Sequence, residues 1–435
     1  MHNLSSAIPW LFLAVSLWGA AFTYNALRPV YAPARRAVLS FFAGWLTGEL
    51  ALHHIAWQAV ATAVFVWAGA LQRWPGVLGL AITLLSWVGL VYAWWNARAA
   101  REVVEQSLRD GLGADYAERI LPEVRARMSA PRAWRPPLLP FPLRPRDVER
   151  VRDITYARVA GINLKLDLYR HRPPPAGCPT LLQVHGGGWV IGTKDQQGLP
   201  LMLHLAARGW VCVSVNYRLS PHATFPDHLI DLKHALAWIR EHGAAYGADP
   251  DFVVVTGGSA GAHLAALVAL TANDPEYQPG FEAADTGVSG CVPFYGVYDF
   301  TDRYRLHRHD GLGKLLERQV MKAALHEAPA AYEKASPMSR LSAAAPPFFV
   351  IHGDRDTLAP VEEARRFCED FRRLAHGRIA YAELPGAQHA FEIFPSLRAA
   401  LVIHGVERFL AHLYSEYLLA RRAAASDAGV RTAAR

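Results

Sequence analysis

Cysteine is scarce in this chain, which has only four in 435 residues (Cys178, Cys212, Cys291 and Cys368). They lie far apart, with no C-x-x-C pair and no histidine at metal-ligand spacing. We therefore expect neither a disulfide framework nor a metal site. Cys212 stands in an apolar run and is predicted to be a small buried hydrophobic residue.

A dense basic block is also missing. The formal net charge is +7, but the arginines are scattered along the chain. Nucleic-acid binding usually depends on a concentrated positive surface, so we expect no nucleic-acid partner. The basic excess between residues 98 and 152 is more typical of the flank of a membrane segment.

Long hydrophobic runs are absent beyond residue 98 and frequent before it. Three runs, 8–27, 50–71 and 77–95, each approach the length that crosses about 30 Å of hydrocarbon. They predict about three transmembrane helices within residues 1–97. The run 37–49 is shorter and ends at Glu49, so we interpret it as interfacial or re-entrant, with a fourth span as the alternative.

Arginines flank these runs unequally: three follow the first run, one separates the second from the third, and two follow the third (Arg28, Arg35, Arg36, Arg73, Arg98 and Arg101). With three spans, the positive-inside rule predicts an outside N-terminus and a cytoplasmic C-terminal part in a bacterial inner membrane. Glu49, His53 and His54 lie near membrane depth, where ionisable residues suggest function. A simple interfacial or helix contact is the alternative.

The middle of the chain divides into three further units. Residues 98–146 combine an amphipathic helix over about 99–130 with a proline-rich linker from 131. Packing of that helix on the following domain is preferred over a position on the membrane surface. Residues 147–420 form the main domain, and residues 421–435 are predicted to be a disordered tail.

Strand-like and helical runs alternate throughout the main domain. Strands are predicted at 151–157, 162–169, 180–185, 210–216, 252–256, 289–294, 347–351 and 378–384, and helices at 227–242, 260–272, 361–374 and 397–419. This alternation predicts an α/β domain whose mostly parallel sheet is covered by helices on both faces. Active sites of such sheets form beyond the carboxyl ends of the strands.

The strongest chemical motif is G-x-S-x-G at Gly257–Gly261, between an apolar run and an Ala/Leu-rich helix. A serine on such a sharp strand-to-helix turn is typical of a nucleophile, which makes Ser259 the candidate. A second motif, HGGGW, follows a predicted buried strand. Its residues Gly187 and Gly188, with Ala260 after the serine, are the candidate oxyanion donors.

Two later loops supply the candidate acid and base. The sequence HGDRD follows a buried strand, and Asp356 is preferred to Asp354 as the acid, the other aspartate being expected to cap the turn. His389 follows the next strand. Chain order Ser259, Asp356, His389 is the order of a nucleophile, acid and base on this kind of sheet.

Together these features resemble the esterase/lipase branch of the α/β-hydrolases, the bacterial relatives of hormone-sensitive lipase and of carboxylesterases. The matching motifs appear in family order: HGGGW at 185–189, NYRLSP at 216–221, GADP at 247–250, GGSAGAH at 257–263 and HGDRD at 352–356. The resemblance implies an α/β-hydrolase fold, a catalytic triad with Asp356 as its acid, and oxyanion donors in the HGGG loop. The N-terminal segment is similar to that of membrane-anchored members.

The implied activity is a serine carboxylesterase that needs no cofactor and takes a small-molecule or lipid ester. Trp189, Tyr295 and Phe391 are candidate substrate-binding residues, with a core position as the alternative. The short insertion 299–345 favours short- to medium-chain esters. The main rival is an arylformamidase or amidase, since HGGGW also resembles the loop of those enzymes. A partner-binding pseudoenzyme and a transport or sensor role for the first hundred residues are weaker alternatives, and no oligomeric state is predicted.

Overall fold

The computed structural model of the chain describes residues 2–128, 139–173 and 175–433. Its α-helices, in chain order, are α1 (His2–Leu27), α2 (Ala34–Glu49), α3 (Ala51–Trp67), α4 (Trp74–Asn96), α5 (Ala100–Leu112), α6 (Pro122–Arg125), α7 (Leu199–Ala206), α8 (Asp227–His242), α9 (Ala260–Leu270), α10 (Gly311–Leu315), α11 (Pro329–Lys334), α12 (Val361–Leu374) and α13 (Leu397–Ala433). Its strands are β1 (Val148–Val159), β2 (Ile162–His171), β3 (Cys178–Val184), β4 (Val211–Val215), β5 (Ala248–Gly258), β6 (Gly290–Phe294), β7 (Phe348–Gly353) and β8 (Ile379–Leu384).

The strands form one sheet in the order β1-β2-β4-β3-β5-β6-β7-β8. β1, β2 and β4 pair antiparallel, and every other neighbouring pair is parallel. The central strand β5 carries the run Val253–Val255, which is fully buried because helices cover both faces of a parallel sheet. The eight strands lie where the sequence predicts them. The carboxyl ends of β3, β5, β7 and β8 consequently meet at one edge.

Helix α7 was not predicted from the sequence. It is only eight residues long, and its sequence LPLMLHLA is apolar on nearly every side, so it lacks the 3.6-residue alternation that signals a helix. It packs against the sheet together with α13, on the face opposite α8 and α9.

Helix α5 is built into the main domain. Its stripe of Val104, Leu108 and Leu112 is buried in the same hydrophobic cluster as β8 and α13. The hydroxyl of Ser107 donates to the carbonyl of Tyr381 on β8 (2.6 Å). A Cβ on Gly111 would lie 2.7 Å from backbone atoms of β8, so only glycine permits this approach.

Over the residues that it describes, the structure differs from the disordered tail predicted at 421–435. Helix α13 continues to Ala433. The segment is rich in alanine and arginine, both strong helix formers, and it extends a helix that is already nucleated and packed. Residues 131–138 of the predicted proline-rich linker lie outside the described residues.

The N-terminal helices form a bundle in which α1 and α4 run side by side in the same direction. Trp10 contacts Trp74 at one end (5.2 Å between ring centroids), and Thr23 is hydrogen-bonded to Ser86 further along (2.7 Å). Two helical segments, Ala7–Leu27 and Trp74–Leu112, are long and apolar enough to cross a membrane. The count rises to three if the pair α2 and α3, bent by 87°, is one span.

Helix α2 packs on the end of α1, where Ser40 is hydrogen-bonded to Asn25, and it also contacts the main domain. Glu49, at its end, forms a buried ion pair with Arg398 and accepts a hydrogen bond from the hydroxyl of Ser396 (2.7 Å). Glu49 therefore has the helix-contact role that the sequence left as an alternative to a functional one. His54, on α3, accepts a hydrogen bond from the indole nitrogen of Trp57 (3.2 Å).

Candidate active site

Ser259 stands alone between the last residue of β5 and the first residue of α9, with φ 58° and ψ −124°. A non-glycine residue in this region is strained, and such strain is typical of a nucleophile elbow. The neighbouring glycines make the turn possible. A Cβ on Gly257 would lie 2.5 Å from the carbonyl oxygen of Gly261, and one on Gly261 would collide with the carbonyl oxygen of Val184.

The glycine loop after β3 touches this elbow. A Cβ on Gly186 would lie 3.1 Å from the Cβ of Ser259, and Gly187 has φ 116°, a conformation that side chains rarely tolerate. The Gly186 N–H is already used, since it donates to Gln197 Oε1 (2.6 Å). In the described part of the chain, no acceptor is bonded to the N–H of Gly187 or Gly188. These two groups therefore remain available to a ligand beside the serine.

Ala260 is the first residue of α9, and the N–H groups of a helix's first turn have no partner within the helix. Its position directly after Ser259 brings a third donor to the same place, at the positive end of the helix dipole. The glycine loop and Ala260 thus approach the serine from two different segments of the chain.

The predicted acid and base lie in contact. His389 Nδ1 donates to Asp356 Oδ2 across 2.6 Å, and both side chains are buried. The other oxygen of Asp356 accepts the N–H groups of Leu358 and Ala359 (2.8 Å each). His352 approaches the same oxygen that accepts from His389, with its Nε2 3.2 Å from Asp356 Oδ2.

This environment keeps Asp356 ionised. Burial by itself would raise its pKa, but the charge of His389 and the hydrogen bonds of His352 and His389 outweigh burial, so the pKa of Asp356 lies well below its ordinary value. A depressed pKa stabilises the folded state above the pKa of an unfolded aspartate. That stabilisation is lost as the pH falls through the folded-state value.

Asp354, the rival acid, is placed differently. Its carboxylate accepts the N–H of Gly386 (2.7 Å), and burial raises its pKa. It bridges the loops that follow β7 and β8. No hydrogen bond joins it to His389 within the described residues.

Tyr295 contacts both the predicted base and the serine turn. Its ring lies 4.5 Å from the His389 ring between centroids, and its hydroxyl donates to the buried carboxylate of Glu392. A Cβ on Gly258 would lie 2.5 Å from the Tyr295 hydroxyl, so the same side chain touches the elbow. Among the described residues, no hydrogen bond joins Ser259 Oγ to His389, a contact that in unliganded hydrolases is often long.

The other two candidate substrate-binding residues are buried, as Tyr295 is, and a core position was the alternative expectation for all three. Trp189 is 2% exposed and donates its indole N–H to His263 Nδ1 (3.2 Å), a ring whose pKa burial lowers to about 3. Trp189 has φ 63°, and this turn directs its side chain into the domain. Phe391 is fully buried against Phe294. Side-chain direction after a sharp turn depends on backbone angles that the sequence does not reveal.

Sequence reasoning missed several residues around the base and acid. Trp45 and Phe41 on α2 contact the His389 loop, and Gln388 accepts the N–H of Thr357 (2.8 Å). Gln388 could have been considered from the sequence, because it directly precedes His389. Nothing in the sequence connects residues 41 and 45 with a loop more than three hundred positions away.

One group of side chains has the composition of a metal site. His204 on α7 and His404 and Glu407 on α13 bring their ligand atoms within 4.8 Å of one another. Arg208 Nε lies 3.1 Å from Glu407 and already supplies a positive charge to that carboxylate. This cluster lies on the helical face of α7 and α13 and not at the elbow of Ser259.

Comparison with known proteins identifies the family. A family model described as BD-FAE matches residues 166–371. The probable carboxylic ester hydrolase LipM of Mycobacterium tuberculosis is 42% identical, with 93% of each chain covered. Esterase LipQ of the same organism is 41% identical over 75% of this chain and 78% of its own length.

The solved structures agree in fold. A thermophilic esterase from Thermogutta terrifontis, solved with butyrate bound, has a TM-score of 0.50 and 25% identity over 63% of this chain and 94% of its own. The mostly parallel eight-stranded sheet fits the α/β-hydrolase fold of this neighbour. The chain therefore belongs to the family of LipM and LipQ, and it is a carboxylic ester hydrolase.

Proposed function

We propose that this esterase works through an acyl-enzyme at Ser259, with His389 as general base and Asp356 as the residue that orients it. The observation that carries the proposal is the buried 2.6 Å hydrogen bond between His389 and Asp356, at the edge of the sheet where Ser259 occupies its strained turn. A nucleophile, a base and an orienting acid in this chain order are the parts that acyl transfer requires.

In the first half of the reaction, Ser259 Oγ attacks the ester carbonyl carbon while His389 Nε2 accepts the hydroxyl proton. The carbonyl oxygen becomes an oxyanion and accepts hydrogen bonds from the N–H groups of Gly187, Gly188 and Ala260. When the carbon–oxygen bond to the alcohol breaks, His389 returns the proton to the departing oxygen. The products are a free alcohol and a Ser259 ester.

In the second half, a water molecule attacks the Ser259 ester and His389 accepts its proton. Collapse of the second oxyanion breaks the bond to Ser259 Oγ, which recovers the proton from His389, and the carboxylic acid leaves. Asp356 stays negatively charged throughout, because its lowered pKa keeps it ionised, and it compensates the positive charge that His389 carries twice per cycle.

We propose short- to medium-chain esters as substrates. The insertion after β6 holds short helical segments, α10 and α11 among them, and Leu315 approaches the glycine loop to within 3.4 Å of a Cβ on Gly188. A side chain this close to the oxyanion donors limits the room for a long acyl chain. The related Thermogutta terrifontis esterase was solved with butyrate, a four-carbon acid.

A chain-length series tests this substrate class. For the full-length protein, kcat/KM is expected to be at least about tenfold higher for p-nitrophenyl butyrate than for the palmitate ester, because a long chain meets the wall at Leu315. Both esters are assayed below their solubility limits. The variant Leu315→Ala is expected to lower the ratio of kcat/KM for butyrate to kcat/KM for palmitate. A preference for palmitate would contradict the proposed substrate class.

We also propose that the N-terminal helices anchor the enzyme in a bacterial inner membrane with the catalytic domain in the cytoplasm. The lengths of α1 and α4 support an anchor. The far ends of both helices, at Ala26 and Asn96, are hydrogen-bonded to the main domain. The flanking arginines cluster at those same ends, which by the positive-inside rule favours the cytoplasm for this domain.

Protease protection tests this orientation. In spheroplasts expressing the full chain, external protease is expected to leave the catalytic domain intact, and permeabilisation is expected to expose it to cleavage. A periplasmic and a cytoplasmic marker protein serve as controls. Cleavage of the domain in sealed spheroplasts would contradict the orientation, and release of the chain by alkaline carbonate would contradict the anchor.

A further inference from the structure

The loop that carries Asp356 is tied to the N-terminal helices on both sides of the aspartate. The guanidinium of Arg355 donates to the carbonyl oxygen of Ala26, at the end of α1 (2.9 Å). The hydroxyl of Thr357 donates to the carbonyl oxygen of Ala37 on α2 (3.0 Å), and the Thr357 side chain is buried. Both neighbours of the acid therefore depend on segments that lie outside the sheet domain.

The loop that carries His389 is tied to α2 as well. The indole nitrogen of Trp45 donates to the carbonyl oxygen of Ala390, the residue after the base (2.8 Å). Ala390 has φ 60°, a conformation that needs support in a residue other than glycine. Phe41, 7% exposed, presents its ring to the His389 imidazole edge-on (5.8 Å between centroids, 83° between planes) and stacks on Trp45.

Helix α2 is itself held firmly enough to position these groups. The buried ion pair between Glu49 and Arg398 fixes its carboxyl end to the first turn of α13. Breaking such a pair leaves an uncompensated buried charge, so the contact resists sliding of the helix. The opposite face of α2 is exposed, with Phe42 at 53%.

We propose that α2 is a positioning element of the active site, in which Trp45 and Phe41 hold His389 and its loop in the geometry that proton transfer requires. The inference rests on the proposed role of His389. The His389 loop lies between β8 and α13 and is not part of a β-strand. Its conformation is therefore set by its contacts with neighbouring elements. A displacement of about 1 Å at a catalytic group costs up to about 10² in rate.

The test compares matched substitutions in the full-length, membrane-bound or detergent-solubilised protein. Trp45→Phe keeps an aromatic ring but removes the donor to Ala390, and kcat for p-nitrophenyl butyrate is expected to fall about tenfold with KM changed less than about twofold. The control is Trp57→Phe, which also removes an indole hydrogen bond but lies on α3, away from the site. It is expected to leave kcat unchanged.

A second pair of variants makes the test independent of Trp45→Phe. Phe41→Leu removes the ring that faces His389, whereas Phe42→Leu changes the next residue on the exposed face of the same helix. We expect kcat to fall several-fold for the first and to stay within about twofold of the wild type for the second.

Fluorophosphonate labelling separates positioning from misfolding. Positioning predicts that the labelling rate constant falls with kcat while the final labelled fraction stays that of the wild type. A lower labelled fraction in Trp45→Phe marks loss of folded protein. In that case the comparison of kcat between Phe41→Leu and Phe42→Leu tests the inference. Wild-type kcat and labelling rate in both Trp45→Phe and Phe41→Leu would overturn the inference, whereas failure of the wild type itself to label would overturn the proposed nucleophile instead.

Discussion

Replacing Ser259 by alanine is expected to lower kcat/KM for ester hydrolysis by about 10⁴ or more. The change removes the only group that would form the acyl-enzyme, while the glycine loop and the Ala260 N–H stay in place and retain a small residual acceleration. Alanine also fits the space of the serine. The measurement is hydrolysis of p-nitrophenyl butyrate by the full-length variant, with covalent labelling by a fluorophosphonate as a second readout.

The matched control for this variant is Ser342→Ala, an exposed serine of the same domain. It is expected to keep wild-type activity and labelling. Esterase activity of Ser259→Ala within about tenfold of the wild type would contradict the proposed nucleophile, as would labelling of that variant at the wild-type rate. Thermal melting of the three proteins distinguishes lost chemistry from lost folding.

Asp356→Asn is expected to reduce kcat by about 10⁴. The amide is nearly isosteric, but it carries no charge to compensate the imidazolium, and it can present an N–H to His389 Nδ1, which favours the wrong tautomer. The oxygen that accepts the N–H groups of Leu358 and Ala359 can be retained, so the loop is expected to keep its shape.

Asp354→Asn provides the comparison that discriminates between the two aspartates. Its side-chain oxygen can still accept the N–H of Gly386, so kcat is expected to stay within about twofold of the wild type. Steady-state kinetics on both variants, with melting curves to verify folding, measure the difference. Equal losses, or a larger loss at Asp354, would contradict the assignment of Asp356 as the acid.

The residues proposed for catalysis were accessible from the sequence because each lies in a short contiguous motif. Ser259 follows a β-branched run and precedes a helix, and these local features predict the turn without knowledge of the rest of the fold. Asp356 and His389 follow the next strand ends in the order that a parallel sheet imposes. Strand positions were accessible for the same reason, since fully buried strands read as continuous apolar runs.

Other features depend on tertiary packing and have no local signature. The side chains of Trp189 and Phe391 point into the core, although their positions beside the motifs suggested a substrate wall. Trp45 reaches the carbonyl of Ala390 across 345 residues of sequence. In the N-terminal runs, hydrophobicity indicated segments of membrane-spanning length, but it did not reveal the 87° bend between α2 and α3.

The place of α5 in the domain has a consequence for the order in which the protein is made. Its Ser107 is joined to Tyr381 on β8, a strand that leaves the ribosome 274 residues later. The apolar stripe of α5 must therefore wait for the last strand and for α13, and the domain closes only when synthesis is nearly complete. A nascent chain interrupted before β8 carries a helix without its partner, which makes such fragments candidates for aggregation and for quality-control proteolysis.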